Sequence, residues 1–300
     1  SGGVNVVSQW FPPKERAFAA GVFNGGATIG SMIAPPLLVL ITIHLGWRMA
    51  FIVPSAMGLV WACVWRFVYY RPERHPYVSA AELEYIHEGR ERETGDPPSN
   101  LQLLARRDVW GLMLLRAIAG PVSQFYIFWL PEYLYRERGL SLASIGLFAW
   151  IPFFFGDVGS IGGGWLAGQL IKRGWTVRKA RMFTMYLGAG LCLIGFGVTS
   201  ASSANGALAL ICLVLLGHYG LSANFFARIS DLMPGTATSR VTGLTGIAQG
   251  ASGFAFPLLT GFLVDHTGYT PVFALTALMP LAGVACLSLL NRSTDSPSQG

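Results

Sequence analysis

Hydrophobic residues occur along the chain in long stretches, and charged residues collect in short islands between them. Each stretch is about 20 residues or longer, the length at which a helix crosses a hydrocarbon core of about 30 Å. Helices of soluble domains are usually shorter, about 10–14 residues. The pattern therefore predicts eight membrane-spanning helices, near residues 17–43, 48–69, 109–134, 140–168, 182–200, 206–227, 241–263 and 270–290.

Composition and charge placement agree with a membrane protein. Hydrophobic residues make up 52% of the chain and charged residues 12%, about half of the usual soluble fraction. If Lys14 lies on the cytoplasmic side and the chain crosses the membrane at each span, 17 of the 21 Lys and Arg residues fall on the cytoplasmic side. The other four are Arg48, Arg116, Arg136 and Arg138. This asymmetry follows the positive-inside rule and fixes the orientation. The net charge of +6 thus reflects topology, and we expect no nucleic-acid partner.

The cysteines point to neither a disulfide framework nor a metal site. Cys63, Cys192, Cys212 and Cys286 all lie within predicted spans, without CxxC or Cys/His ligand spacing. We therefore predict no metal and no cofactor. No signal peptide or lipidation signal is visible, and residues 1–11 resemble the end of a helix. The sequence is accordingly expected to be part of a longer chain.

One long polar segment divides the predicted helices into two groups. Within it, SAAELEYIHEG predicts a short amphipathic helix that begins after an N-cap at Ser79, with Glu82 at the capping-box position. Six spans follow this segment, whereas two spans and the end of a third precede it. We predict the end of an N-terminal bundle over 1–69, a cytoplasmic linker over 70–108, a C-terminal six-helix bundle over 109–291 and a cytoplasmic tail over 292–300.

Several motifs resemble a known family when taken together and in order. They are WFPPKERAFAAGVFNGGATIGSMIAPPL with GWRMAFIV (Trp10–Val53), RAIAGPVSQFYIFWLPEYL (Arg116–Leu134), IPFFFGDVGSIGGGWLAGQLIKRGWTVRKAR (Ile151–Arg181), GHYGLSANFFARISDLMP (Gly217–Pro234) and VTGLTGIAQGASGFAFPLLTGFL (Val241–Leu263). The chain is identified by them as a member of the major facilitator transporters, within the hexuronate-type branch of the anion:cation symporter family.

The resemblance implies an all-α fold of two six-helix bundles, with a central cavity lined mainly by helices 1, 4, 7 and 10. It also implies co-transport of organic anions, often sugar acids, with protons. The chain departs from the branch where Gly120 stands at a usual Asp of helix 7, and where Gly168 replaces an Asp in the loop after helix 8. Helices 1–3 and most of helix 4, expected to carry a substrate-facing Arg and the acidic proton carrier, fall outside this sequence.

Arg116 and Asp157 are the main candidates for a functional site, because an ionisable group costs roughly 2.5–3.5 kcal/mol at the centre of a membrane helix. Two interpretations remain open. Arg116 could bind a substrate carboxylate through its fork of N–H donors while Asp157 takes a proton, or the two could form a structural ion pair. Gly120 and Gln124 share a helix face with Arg116, and we expect room for a ligand there.

Further binding candidates are polar or aromatic residues within the spans. Gln124 suits sugar hydroxyl groups, and Tyr126 and Trp129 could border a sugar ring or simply pack. His218 shares a face with Ser222, whereas Asn224 is rotated by about 120° from it. The remaining candidates are Gln249 and Asn24.

These features predict a secondary active transporter of a small organic anion, of the hexuronate or aldonate type, driven by protons through alternating access. The expected location is the inner (plasma) membrane, with several passes, lipid contacts and a monomeric state. Two alternatives remain: a sensor or transport-inactive protein on the same fold, and an integral-membrane enzyme. No HExxH, GxSxG or nucleotide-binding loop supports an enzyme, so none is predicted.

Overall fold

A computed structural model describes residues 6, 9–12, 16–87, 98–233 and 235–291, and over these ranges the chain is helical without strands. The chain divides into two compact units, Ser1–Gly95 and Asp96–Gly300. The boundary between them lies within the predicted 70–108 linker. Each unit is described separately.

Among its described residues, the first unit contains two long α-helices and one short α-helix, α1 (Arg16–Leu45), α2 (Met49–Val68) and α3 (Ala80–His87), with a 3-10 turn at Pro72–Arg74. α1 packs against α2. Gly46 joins them with a φ of 87°, a left-handed conformation that favours glycine at the end of a helix. Ser79 Oγ accepts a hydrogen bond from the Glu82 backbone N–H at 3.2 Å, so the predicted N-cap of α3 is confirmed.

The second unit contains the remaining helices, α4 (Asn100–Leu104), α5 (Arg107–Arg136), α6 (Leu142–Phe148), α7 (Ile151–Lys172), α8 (Val177–Cys192), α9 (Ala204–Leu232), α10 (Gly235–Thr267) and α11 (Thr270–Leu290). A 3-10 turn, Leu193–Gly197, continues α8. Side chains of Ser99, Thr176 and Ser203 cap the N-termini of α4, α8 and α9, each by accepting a backbone N–H three residues later.

The long helices of this unit pack as two interleaved triplets. The first triplet comprises α5, α7 and α8, and the second comprises α9, α10 and α11. α5 packs mainly against α10 and α11, whereas α9 packs mainly against α7 and α8. The first helix of each triplet thus packs on the second and third helices of the other, the arrangement of an internal structural repeat of the kind found in transporters.

Glycines allow α9 to approach two neighbouring helices at backbone distance. A Cβ at Gly217 would lie 2.5 Å from the Gly188 carbonyl oxygen of α8. A Cβ at Gly163 of α7 would lie 2.8 Å from the α-carbon of Gly220 in α9. Small residues at helix crossings are typical of membrane bundles, and they hold α9 tightly between α7 and α8.

Seven of the described helices are long and apolar enough to cross a membrane: α2, α5, α6 with α7, α8 with its 3-10 turn, α9, α10 and α11. The predicted span 17–43 lies in α1, in which the described residues Ile33–Leu45 form a shorter apolar segment. The predicted span over 140–168 corresponds to Leu142–Lys172, with a short break inside it: α6 ends at Phe148 and α7 starts at Ile151. Pro152, in the first turn of α7, suits this restart because its missing N–H is not needed there.

Large apolar side chains cover much of the outer surface of the second unit. Phe128, Ile161, Trp165, Phe254 and Phe262 are all exposed. So much exposed apolar area would be a liability in water, but it suits contact with lipid. The predicted all-α membrane fold is therefore confirmed.

Candidate functional site

Arg116 lies in the N-terminal half of α5, and its guanidinium faces α9. The guanidinium carbon is 5.5 Å from the ring centre of Phe225 and 5.0 Å from that of Phe226. Both distances fall within the range of cation–π attraction. Among the described residues, no hydrogen bond or ion pair engages this guanidinium, so its N–H donors remain available to a ligand.

Tyr219 of α9 lies near Arg116 and near Asp157 of α7. It lies within electrostatic range of both residues. Its ring rests on the backbone of Gly156, where a Cβ would lie 3.0 Å from the ring. Tyr219 was missed in the sequence because a tyrosine in an apolar span is typical of an interface residue. The glycines on either side of it, Gly217 and Gly220, were a sequence signal for close helix packing at this position.

His218 lies beside Tyr219 and is 2% exposed. The two rings are 5.8 Å apart, and His218 is within electrostatic range of Arg116. Its Nδ1 is buried without a hydrogen-bond partner among the described residues. Arg116, Asp157, His218 and Tyr219 are therefore brought together from three helices, and we call them the Arg116 cluster.

The position of this cluster follows from the helix lengths. Tyr219 is 13 residues before the end of α9, and Asp157 is 15 residues before the end of α7. At 1.5 Å per residue these offsets correspond to about 20 and 22 Å, which is close to the midplane of a bilayer about 40–45 Å thick. Arg116 is nine residues into α5, or about 14 Å by the same rise.

Gln124 and Gln249 join α5 to α10 by packing over glycines. The Gln249 side chain of α10 covers Gly120 of α5, where a Cβ would lie 2.8 Å from the Gln249 Cγ. In the opposite direction, the Gln124 side chain of α5 covers Gly253 of α10. The expectation that the Gly120 face leaves room for a ligand is wrong in this structure, since the Gln249 side chain fills that space. Gln124 Oε1 is buried and has no hydrogen-bond partner among the described residues.

The aromatic candidates of α5 belong to the packed core. Tyr126 is 0% exposed and packs against Phe125 and Phe273, with ring centres 5.1 and 6.1 Å away. Trp129 packs edge-on against Tyr269 at 6.5 Å. The structure does not bring these two rings to the Arg116 cluster, and it supports the packing interpretation for both.

Two of the remaining candidates, Asn224 and Ser222, lie on α9. Asn224 faces α8: its Oδ1 accepts a hydrogen bond from Arg181 at 3.3 Å, and Arg181 pairs with Asp231 at 3.2 Å. Ser222 is half-buried on α9. Asn24 lies on α1 in the other unit, and its side chain is outside the described residues.

At the start of α5, Arg106 and Asp108 form an ion pair. Asp108 is 3% exposed and accepts two hydrogen bonds from Arg106, at 3.0 and 2.6 Å. These bonds raise the pKa of the Arg106 guanidinium. Among the described residues no group of three His, Cys, Asp or Glu could hold a metal ion.

Comparison with known proteins identifies the family. The model of the Major Facilitator Superfamily matches residues 1–257. The chain is 35% identical over 288 residues to the Hexuronate transporter of Escherichia coli (strain K12), covering 94% of this chain and 66% of the relative. It is 31% identical to the D-galactonate transporter of Escherichia coli O6:H1, covering 95% and 69%, and 38% identical to the Galacturonate transporter of Dickeya chrysanthemi, covering 65% and 58%.

These findings confirm the resemblance to the hexuronate-type branch and the multi-pass inner-membrane location. The relatives are named as transporters, which agrees with the prediction that the chain is not an enzyme. The chain spans just under two thirds of the length of the first of these relatives. This chain belongs to the Major Facilitator Superfamily.

Proposed function

We propose that the full-length protein is a secondary transporter that carries a sugar-acid anion together with protons by alternating access. The names of the relatives support the substrate class, since hexuronates, galacturonate and galactonate each combine a carboxylate with several hydroxyl groups. The paired triplets of the second unit support alternating access, because repeats of this kind characterise secondary transporters.

Arg116 carries the proposal. It is an arginine inside a membrane-spanning helix, and its described neighbours are aromatic rings rather than acids. A guanidinium presents its donors in a planar fork that matches a carboxylate, and the nearby rings lower the local polarity, which strengthens such a pair. This geometry favours the carboxylate-binding interpretation over a direct structural pair with Asp157.

Asp157 and Tyr219 have proposed roles in coupling. Asp157 is the only acidic side chain described in α7, close to the estimated midplane, and it can accept a proton there. Tyr219 can relay the change in charge, because it lies within electrostatic range of both Asp157 and Arg116. The buried amide of Gln124 is a candidate donor and acceptor for a sugar hydroxyl if α5 and α10 separate.

Uptake into proteoliposomes tests the proposal. With an inward proton gradient, labelled galacturonate or galactonate should accumulate, and a protonophore should abolish the accumulation. Arg116→Lys keeps the charge but loses the fork, so we expect the KM to rise about tenfold, the equivalent of one charge-assisted hydrogen bond of roughly 1.5 kcal/mol.

Arg107→Lys is the matched control, since Arg107 is exposed at the first position of the same helix. Its KM should stay near that of the parent protein. Uptake of neutral sugars in preference to their acids would contradict the substrate class. Accumulation that does not depend on the proton gradient would contradict coupling to protons.

A further inference from the structure

A cavity of about 550 Å³ lies between the N-terminal end of α8 and the C-terminal end of α11. Among the described residues that line it are two cations, Arg178 and Lys179, and no acid. Its other walls are aromatic, apolar or hydroxyl-bearing: Trp175, Thr176, Met182, Phe183, Tyr186 and Ser288, with Asn291 at the end of α11. None of these residues belongs to the Arg116 cluster.

The two ends of the cavity differ in chemistry. At one end, the Lys179 Nζ lies 4.8 Å from the Trp175 ring centre, and an Arg178 N–H donates to the Asn291 carbonyl at 3.1 Å. At the other end, the Tyr186 hydroxyl and Ser288 Oγ form a 2.8 Å hydrogen bond that joins α8 to α11. Between them, Phe183 meets Trp175 edge-on at 5.4 Å.

The length of the cavity indicates which part of a bilayer it spans. Arg178, Met182 and Tyr186 recur every four residues, so they form one stripe on α8 that extends about 12 Å along the axis. The polar layer on each side of a bilayer is about 5–8 Å thick. The end with Arg178 and Lys179 therefore lies at headgroup level when the end with Tyr186 and Ser288 reaches the hydrocarbon.

We infer that this cavity binds an anionic phospholipid. The phosphate would lie against Arg178 and Lys179, and one acyl chain would follow Met182 and Phe183 towards Tyr186. A basic pocket between helices near the membrane surface suits such a headgroup. A free phosphate would occupy only the basic end and would leave the apolar walls uncovered. The site shares no residue with the Arg116 cluster, which lies on α5, α7 and α9.

Native mass spectrometry of the full-length protein in detergent tests the inference, with phosphatidylglycerol and phosphatidylcholine titrated separately. We expect phosphatidylglycerol to bind more tightly. Lys179→Gln should weaken its first binding step about fivefold, the effect of one basic residue near a membrane surface. Lys179 is exposed, so the variant is expected to fold.

Lys172→Gln is the matched control, because Lys172 is also exposed nearby but does not line the cavity. Its affinity for phosphatidylglycerol should be unchanged. An equal loss in both variants would mean diffuse surface attraction and would overturn the site. Equal binding of the two lipids would overturn the charge selectivity. Displacement of phosphatidylglycerol by excess glycerol 3-phosphate would indicate a soluble-anion site instead.

Discussion

Replacing Gly188 by alanine should weaken the packing of α8 on α9, whereas the same change at Gly190 should not. A Cβ at Gly188 would collide with the Gly217 carbonyl oxygen and would lie 3.2 Å from the Leu221 Cβ. At Gly190, an exposed position on the same helix, nothing lies within 4 Å of a Cβ. The pair therefore isolates the effect of close packing at one helix crossing.

The expected magnitude follows from two opposing effects. Both variants gain about 1 kcal/mol from the better helix propensity of alanine. Gly188→Ala also carries an overpacking penalty of typically 1–3 kcal/mol, because backbone atoms cannot rotate away as a side chain can. Relative to Gly190→Ala, the Gly188 variant should therefore be less stable by about 1–3 kcal/mol, which corresponds to several degrees in melting temperature.

Intrinsic tryptophan fluorescence during heating of the detergent-solubilised protein measures this difference. We expect the parent protein to melt at or slightly below the melting temperature of Gly190→Ala. Of the two variants, Gly188→Ala should melt at the lower temperature. Equal melting of the two variants would refute the close backbone approach between α8 and α9.

Three further predictions follow from single interactions. Arg138 donates to the Tyr133 hydroxyl and to three main-chain carbonyls in residues 198–201 at 2.6–3.1 Å, so Arg138→Lys should lower the stability by about 1–2 kcal/mol in the same melting assay; an unchanged melting temperature would contradict a structural role. In a background without native cysteines, an impermeant thiol reagent added to intact cells should label Ser202→Cys but not Glu84→Cys, both exposed, and the reverse result would overturn the predicted orientation. A direct Arg116–Asp157 pair would make Arg116→Ala and Asp157→Asn each unstable and their combination more stable; we expect no such rescue, and melting temperatures of all three variants decide it.

The helices could be predicted from the sequence because the bilayer leaves few alternatives. A long apolar segment must satisfy its backbone hydrogen bonds internally, so length and hydropathy suffice to place it. The break after Phe148 escaped prediction because it lies inside a continuous apolar stretch, where hydropathy does not change. Ser79 and Glu82 predicted a cap because they mark a change from polar loop to helix, a local signal.

The site was harder to predict because the faces of these helices are not distinguished by polarity. In a soluble helix, apolar residues mark the buried face. In α5 and α10 apolar residues surround the axis, so nothing in the sequence shows that Gln249 covers Gly120. The ionisable residues are an exception, because their cost in lipid marks them individually. Arg116, Asp157 and His218 were found in this way, whereas Tyr219 carries no such cost.

The glycines of α7 explain how these ionisable residues come within range of each other. Gly156, Gly159 and Gly163 lie on one face by their spacing of three and four residues, and each lies against α9, at Tyr219, Leu216 and Gly220 respectively. Asp157 follows the first of them, so the separation of α7 and α9 also sets the distance from Asp157 to Tyr219. The small-residue spacing, which by itself indicates only close packing, thus fixes the electrostatics of the Arg116 cluster. A bulkier residue at Gly156 would displace the Tyr219 ring and act on the site without touching a charge.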